Sequence, residues 1–154
     1  MKKGFFSIVV CIIGCVVFSG CIKNGTGRTL DPYMTANFGI DTFKAAYVQP
    51  TTIRNQISDT MTTLTITGTD NSTGNRIVLS VTKFKDSTGT FSIVTGQAGA
   101  TYFNNGGVAN AATSGIVAIK DISANTITGY FSFTTASGVV ATNGTFAVGK
   151  PWDF

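Results

Sequence analysis

"LTITGTDNSTGNRIVLSV", residues 64–81, alternates apolar and polar residues twice, with a break between the two runs. On an extended chain Leu64 and Ile66 fall on one face and Thr65 and Thr67 on the other, and Ile77, Leu79 and Val81 repeat the pattern. The intervening "DNSTGN", residues 70–75, consists of residues that turn the chain through local side-chain bonds or a left-handed backbone. The stretch therefore predicts an antiparallel hairpin with one face toward a core and one toward water.

The same period continues through "TGTFSIV", "GATYFN", "GIVAIKD", "NTITGYFSFTT" and "VVATNGTFAV", each bounded by Gly, Asn, Asp or Ser. In residues 125–135, Ile127, Phe131 and Phe133 share the inward face while Thr128 and Ser132 face solvent. With "ANFGI" and "TFKAAYV" nearer the start, the chain has roughly nine short strands joined mostly as a meander. Short links leave no room for crossover helices, so the expected fold is all-β, an antiparallel β-sandwich or barrel. One short helix is expected at "TTIRNQIS", where Ile53 and Ile57 stand four apart. A Gly-x-Phe idiom recurs at residues 89, 129 and 144, and predicts glycine leaving a turn and phenylalanine entering the core.

The N-terminus has different chemistry. Lys2 and Lys3 precede "GFFSIVVCIIGCVVFSG", uncharged from Gly4 to Gly20, which has the build of a secretory signal. It is short of the ~20 apolar residues that span a bilayer. "FSGC" resembles the lipobox of bacterial lipoproteins, which places cleavage after Gly20 and a lipid anchor on Cys21. Several acyl chains anchor stably, since each buried methylene adds ~0.8 kcal/mol. Cys11 and Cys15 would leave with the signal, so no thiol remains for disulfide or metal chemistry. The expected organisation is a signal peptide at 1–20, a lipidated tether at 21–34, where "NGTGRTLDPYM" is rich in turn formers, and one β-domain at 35–154.

Composition narrows the chemistry further. There is no histidine, and all seven acidic residues are aspartates. The commonest general base, the commonest metal ligand and every Ser-His or Cys-His constellation are thereby excluded. The basic residues are scattered and make no case for nucleic acid. The one close pair, Lys83 and Lys85, is expected on the solvated face of a strand.

Several short motifs have bland readings. "GTFAVGKP", residues 144–151, has the spacing of a phosphate loop but Pro151 in place of the required hydroxyl. Ser80 and Lys83 fit S-x-x-K, yet on a strand they point to opposite faces. "DSTG" at Asp86 reads as a turn, and "DNSTGN" at Asp70 lacks the paired carboxylates of a calcium loop. No metal or other cofactor is expected. Asp59-Thr60 and Asp86-Ser87 resemble Asp-Ser/Thr O-glycosylation sites of exported Bacteroidota proteins, making Thr60 and Ser87 candidates.

The segments "LTITGTDNSTGNRIVLSV", "GTFSI", "SGIVAIKDISANTITGYFSFTT" and "TNGTFAV" together resemble a family of small Bacteroidota lipoprotein domains of unknown function. Its members carry a lipobox, a short tether and strands finishing in G-x-F-S-F…N-G-x-F. The resemblance implies a compact β-domain anchored by lipid in the outer envelope, and it implies no activity. "GKPWDF" extends beyond the family's usual last strand.

The expected role is thus non-enzymatic: binding or surface-structural work at the outer membrane, facing the periplasm or the cell surface. The membrane is the partner expected through the lipid; a glycan, a small apolar ligand or an envelope protein are the candidates for the domain. Tyr102, Phe103, Tyr130 and Trp152 are the aromatics expected to stack on a ligand. A lipocalin-like carrier would need a closed barrel with an apolar cavity. A hydrolase would need two of Asp41, Asp70 and Asp121 brought together.

Overall fold

The computed structural model describes residues 31–54, 61–84, 86–151 and 154. Cys21, Gly20, Thr60, Lys85 and Trp152 lie outside the described residues. Among the described residues there are ten strands: β1 (Tyr33–Phe38), β2 (Asp41–Lys44), β3 (Tyr47–Arg54), β4 (Met61–Thr69), β5 (Arg76–Phe84), β6 (Gly89–Ser92), β7 (Ala98–Phe103), β8 (Ala109–Ile122), β9 (Thr126–Thr135) and β10 (Val140–Gly149). All pair antiparallel in one sheet curled into a half-barrel, in the order β2-β1-β10-β9-β8-β7-β5-β4-β3, with β6 paired to β8 off this path. The expected all-β antiparallel class is the one found. No helix occurs among the described residues; of the expected helix at "TTIRNQIS", Thr51–Arg54 form the end of β3, paired to Thr62–Thr65, and residues 55–58 lie outside the described residues.

The hairpin read from residues 64–81 forms β4 and β5, with Leu64 opposite Val81 and Ile66 opposite Leu79, all four buried. Its turn is fastened by Asp70. The backbone N–H of Asp70 donates to Asn75 O at 2.9 Å, and Asp70 O accepts from the Gly74 N–H at 2.8 Å. Gly74 takes the left-handed backbone that such a turn requires (φ 72°).

Two long runs bend to let the sheet curl. "TFKAAYV" is two strands, which is why ten are found. At the break, the Ala45 N–H donates to Met34 O of β1 (2.9 Å) and the Ala46 N–H to Thr69 O of β4 (2.8 Å). Two adjacent alanines thus tie opposite ends of the sheet path together. The second run is β8, which pairs with β7 through Ala109–Ala111 and with β6 through Ile116–Ile119, while β9 follows its other edge. Gly115 sits at the handover (φ 131°), and a Cβ there would lie 2.2 Å from Ser132 O, so no larger residue fits.

The Gly-x-Phe idiom works differently from the expectation at two of its three positions. Gly129 and Gly144 lie within strands, and their segments pair with each other: Gly144 opposite Phe131, Phe146 opposite Gly129. Each ring occupies the space above the facing glycine, for a Gly129 Cβ would stand 2.3 Å from Phe146 Cζ and a Gly144 Cβ 2.6 Å from the Phe131 ring. Aromatic cover of a cross-strand glycine restores the packing that the missing side chain forgoes. Phe131, Phe133, Phe146, Met34, Leu64 and Ile127 are all at most 2% exposed and fill the interior. Fully burying each such side chain contributes about 1.5–3 kcal/mol.

Candidate functional site

The outer face of β1, β10 and β9 carries an aromatic groove. Cross-strand pairs share a face, so Tyr33 opposite Ala147 and Tyr130 opposite Thr145 place two tyrosines outward with β10 between them. Both are 43% exposed, whereas Ala147 is wholly buried between Tyr33 and Thr128. Tyr33, Lys120, Thr128, Tyr130 and Thr145 line a groove of about 300 Å³. Hydroxyls continue along the same rows: Thr145 Oγ1 lies 3.0 Å from Thr35 Oγ1, and Tyr130 Oη lies 3.5 Å from Thr90 Oγ1. Two strands apart and offset by two residues, the two tyrosine positions stand roughly 12 Å from each other on the sheet.

A larger cleft, about 580 Å³, opens where β5 ends and β6 begins. Its walls include Met61 and Phe91, its rim Thr88 and Gln97, and Lys83 lies in its lining. Here the structure corrects the sequence reading. Lys83 continues the inward face of Ile77, Leu79 and Val81, is 3% exposed, and stands with its ammonium 3.9 Å above the ring of the buried Phe154. Burial lowers its pKa to about 8; the carboxylate of Asp86 opposes that shift and the Lys150 ammonium adds to it. Lys150 Nζ in turn lies 2.8 Å from Asp86 Oδ1. Ser80, as expected, points to the other face from Lys83, against Gly99. Ser87 is half-buried in the lining of this cleft.

A third cleft, about 220 Å³, lies at the opposite end of β5, lined by Phe38, Asp41, Asp70, Thr73 and Tyr102 among others. Tyr102 faces Ile77 across the ladder and packs 5.0 Å from the Phe38 ring, and burial raises its pKa. Asp41 and Asp70 share this cleft; Asp121, exposed on β8, does not join them. Asp70 Oδ1 is taken by its own turn, accepting from the Ser72 N–H at 2.9 Å and the Ser72 hydroxyl at 2.6 Å. These bonds, the Ser72 hydroxyl first, hold its pKa below 3.8 against the effect of burial. Among the described residues no three acidic or thiol groups gather as a metal site would need. The phosphate-loop spacing at 144–149 lies within β10, not at a helix start.

The expected aromatic cluster is therefore dispersed. Tyr102 faces the core, Phe103 lies under the Arg76 guanidinium at 4.1 Å, and Tyr130 is on the outer face of another part of the sheet. The aromatic that does share the groove with Tyr130, Tyr33, falls within the expected tether. Its strand follows Asp31 and Pro32, whose turn character hides the start of "YMTANF", although the alternation of Met34 and Ala36 was there to be read. No family model, curated protein or solved structure matches this chain.

Proposed function

We propose that the protein is a non-enzymatic binding protein of the bacterial outer membrane, anchored through lipid on Cys21, whose domain holds a carbohydrate in the outer-face groove. The observation that carries this reading is the pair of exposed tyrosines, Tyr33 and Tyr130, flanking a hydroxyl-lined groove. Aromatic faces stack on the C–H faces of sugar rings, and the Thr128, Thr145 and Lys120 side chains supply the donors and acceptors that sugar hydroxyls require. The distance between the tyrosines is on the scale of a disaccharide unit. The interior is occupied by side chains, which favours an exposed site over a lipocalin-like calyx.

The non-enzymatic part of the reading is supported by how the aspartates are used. Carboxylate chemistry needs one acid held protonated and one base held ionised, with pKa values pushed apart. Asp70 is pinned as an ionised turn residue, and histidine and glutamate are absent from the sequence. The lipoprotein family resemblance and the lipobox support the anchor and the envelope location. Ser87 and Thr60 remain candidates for O-glycans on that same reading.

The test is native affinity electrophoresis in gels containing laminarin, xylan, mannan or soluble starch. Retardation by at least one of them is expected, and Tyr33→Ala and Tyr130→Ala should each weaken it between about twofold and tenfold. Unchanged mobility in all four gels would count against carbohydrate binding. Fractionation addresses the anchor separately: Cys21→Ser should move the protein from the membrane to the soluble fraction.

A further inference from the structure

Among the described residues, Lys120 is the one charged side chain in the lining of the outer-face groove, and its ammonium has no ion pair or hydrogen bond there. It sits where β8 bulges against β9: Ile119 lies opposite Gly129 and Asp121 opposite Thr128, with Lys120 the extra residue between them. The bulge keeps two successive side chains on one face, since Asp121 shares the outward side of Thr128 while Lys120 lines the groove. Asp121 is exposed, does not line the groove and forms no ion pair with Lys120.

A second cation stands at the other end of the same surface. Lys44 pairs with Thr35, Thr35 with Thr145 and Thr145 with Tyr130, so the four share the outer face in one line across β2, β1, β10 and β9. Lys44 is exposed, and it too has no ion pair or hydrogen bond among the described residues. Lys44 on β2 and Lys120 on β8 are four strands apart, roughly 20 Å along the sheet. The tyrosines and threonines of the groove lie between them. No single sugar ring covers that span, so two cations at this separation fit a chain that carries acids at intervals. The other acidic residue beside this face is Asp31, exposed and two residues before Tyr33.

From this arrangement we propose that the groove takes an acidic polysaccharide, one with carboxylates on successive sugar units, its rings on Tyr33 and Tyr130 and its acid groups toward Lys120 and Lys44. The inference rests on the carbohydrate reading above and adds the charge of the sugar to it. Neutral chains keep the stacking and the hydroxyl contacts and lose the two ion pairs, so they bind by the same groove more weakly. One exposed ion pair contributes little. A chain held already by its rings presents its acids to both lysines at high effective concentration, and the two small contributions then add.

The experiment is isothermal titration calorimetry of the whole chain, purified in detergent, with polygalacturonate and alginate, each beside the same polymer after reduction of its carboxyl groups to primary alcohols. At least one acidic polymer should bind about threefold to tenfold more tightly than its reduced form. The preference should vanish near 0.5 M sodium chloride, where the screening length falls to roughly 4 Å. Lys120→Gln should remove most of the preference, Asp121→Asn should enlarge it, and Lys150→Gln, which removes the same charge away from the groove, should leave it unchanged. Tyr33→Ala should weaken the acidic and the reduced polymer alike. Equal binding of each acidic polymer and its reduced form, or a preference that survives Lys120→Gln, would overturn the acidic-sugar inference and leave the groove reading standing. No binding by any of the four polymers would overturn it as well, and the four neutral gels then decide whether the groove reading falls with it.

Discussion

The two ends of β5 each bury a charge, and they do so by opposite means. At the start, Asp70 is 5% exposed and is met by the Ser72 amide and hydroxyl, two residues away. Roughly 25 Å along the strand, Lys83 is 3% exposed and is met chiefly by groups far off in sequence, the Phe154 ring and the charge of Lys150, with the carboxylate of Asp86 three residues on. The pKa values of both are lowered, yet the meaning differs. For an acid a lowered pKa says that the fold favours the charged form; for a base it says that the fold resists it. Asp70 stabilises the fold as an ion, and Lys83 is carried by the fold as one. That contrast makes the first a fastening of its own turn and the second a cost that the surrounding fold carries.

The largest effect that would break this contrast is expected at Asp70. Asp70→Ala leaves the Ser72 amide and hydroxyl without their acceptor and loosens the β4–β5 turn, at a cost of about 2–3 kcal/mol for bonds to a charged acceptor. Urea denaturation at pH 7 measures it. Since the folded-state pKa lies below 3.8, the unfolded chain takes up a proton first as pH falls. The stabilisation is therefore present above the unfolded value and is lost as pH drops through the folded one. The native chain should lose denaturation free energy below about pH 4, and the Asp70→Ala chain should lose less. Equal acid sensitivity in the two would mean that Asp70 is no better held than a surface aspartate.

At Lys83 a smaller effect of opposite sign is expected. Replacing a buried cation by an apolar side chain of similar length is neutral to stabilising, by about 1–2 kcal/mol, and the Met sulfur can keep contact with the Phe154 ring. The pH dependence gives a cleaner reading. With a folded pKa of about 8 against 10.5 unfolded, the unfolded chain holds the extra proton between these values, so stability rises with pH across that window. Tyr102, raised by burial above its usual 10.0, acts in the other direction from pH 10 upward. Thermal unfolding between pH 8 and 10 should therefore show a rising midpoint in the native chain and a flatter one in Lys83→Met. Identical slopes would place Lys83 in an ordinary solvated setting.

The same contrast explains what could be read from the sequence. The Asp70 turn closes within six residues, so its composition announces it, and the flanking alternation fixes the faces of Leu64, Ile66, Ile77 and Leu79. The Lys83 position follows that same alternation: three inward residues at spacing two lead straight to it. A charged side chain nevertheless reads as solvent-facing, because the Phe154 ring over which its ammonium stands, and the Lys150 that engages the nearby Asp86, come from elsewhere in the chain. The reciprocal Gly129–Phe146 and Gly144–Phe131 contacts had a visible idiom but needed the register between β9 and β10 to acquire a purpose. Tyr33 and Tyr130 are 97 positions apart and come to flank one groove only because β1 pairs with β10. Local pairing was legible, and the contacts made by curling the sheet were not.

The smallest expected effect is the sharpest on mechanism. Lys150→Ala removes an ion pair whose side chains are 21% and 54% exposed, for Lys150 and Asp86 respectively. Such a pair contributes about 0–1 kcal/mol, so the denaturation midpoint should scarcely move. Lys83 should respond all the same. Lys150 lowers its pKa directly and also engages Asp86, the carboxylate that raises it. Removing Lys150 withdraws the first influence and releases Asp86 from that ion pair, so the Lys83 pKa should climb from about 8 toward 10.5. The side-chain carbon and nitrogen shifts of Lys83, followed by NMR titration, report it directly. A higher pKa with unchanged stability would show that the charges around the end cleft are arranged to tune one lysine. An unchanged pKa would mean that burial alone sets its value, and that Asp86 and Lys150 are only a surface pair beside it.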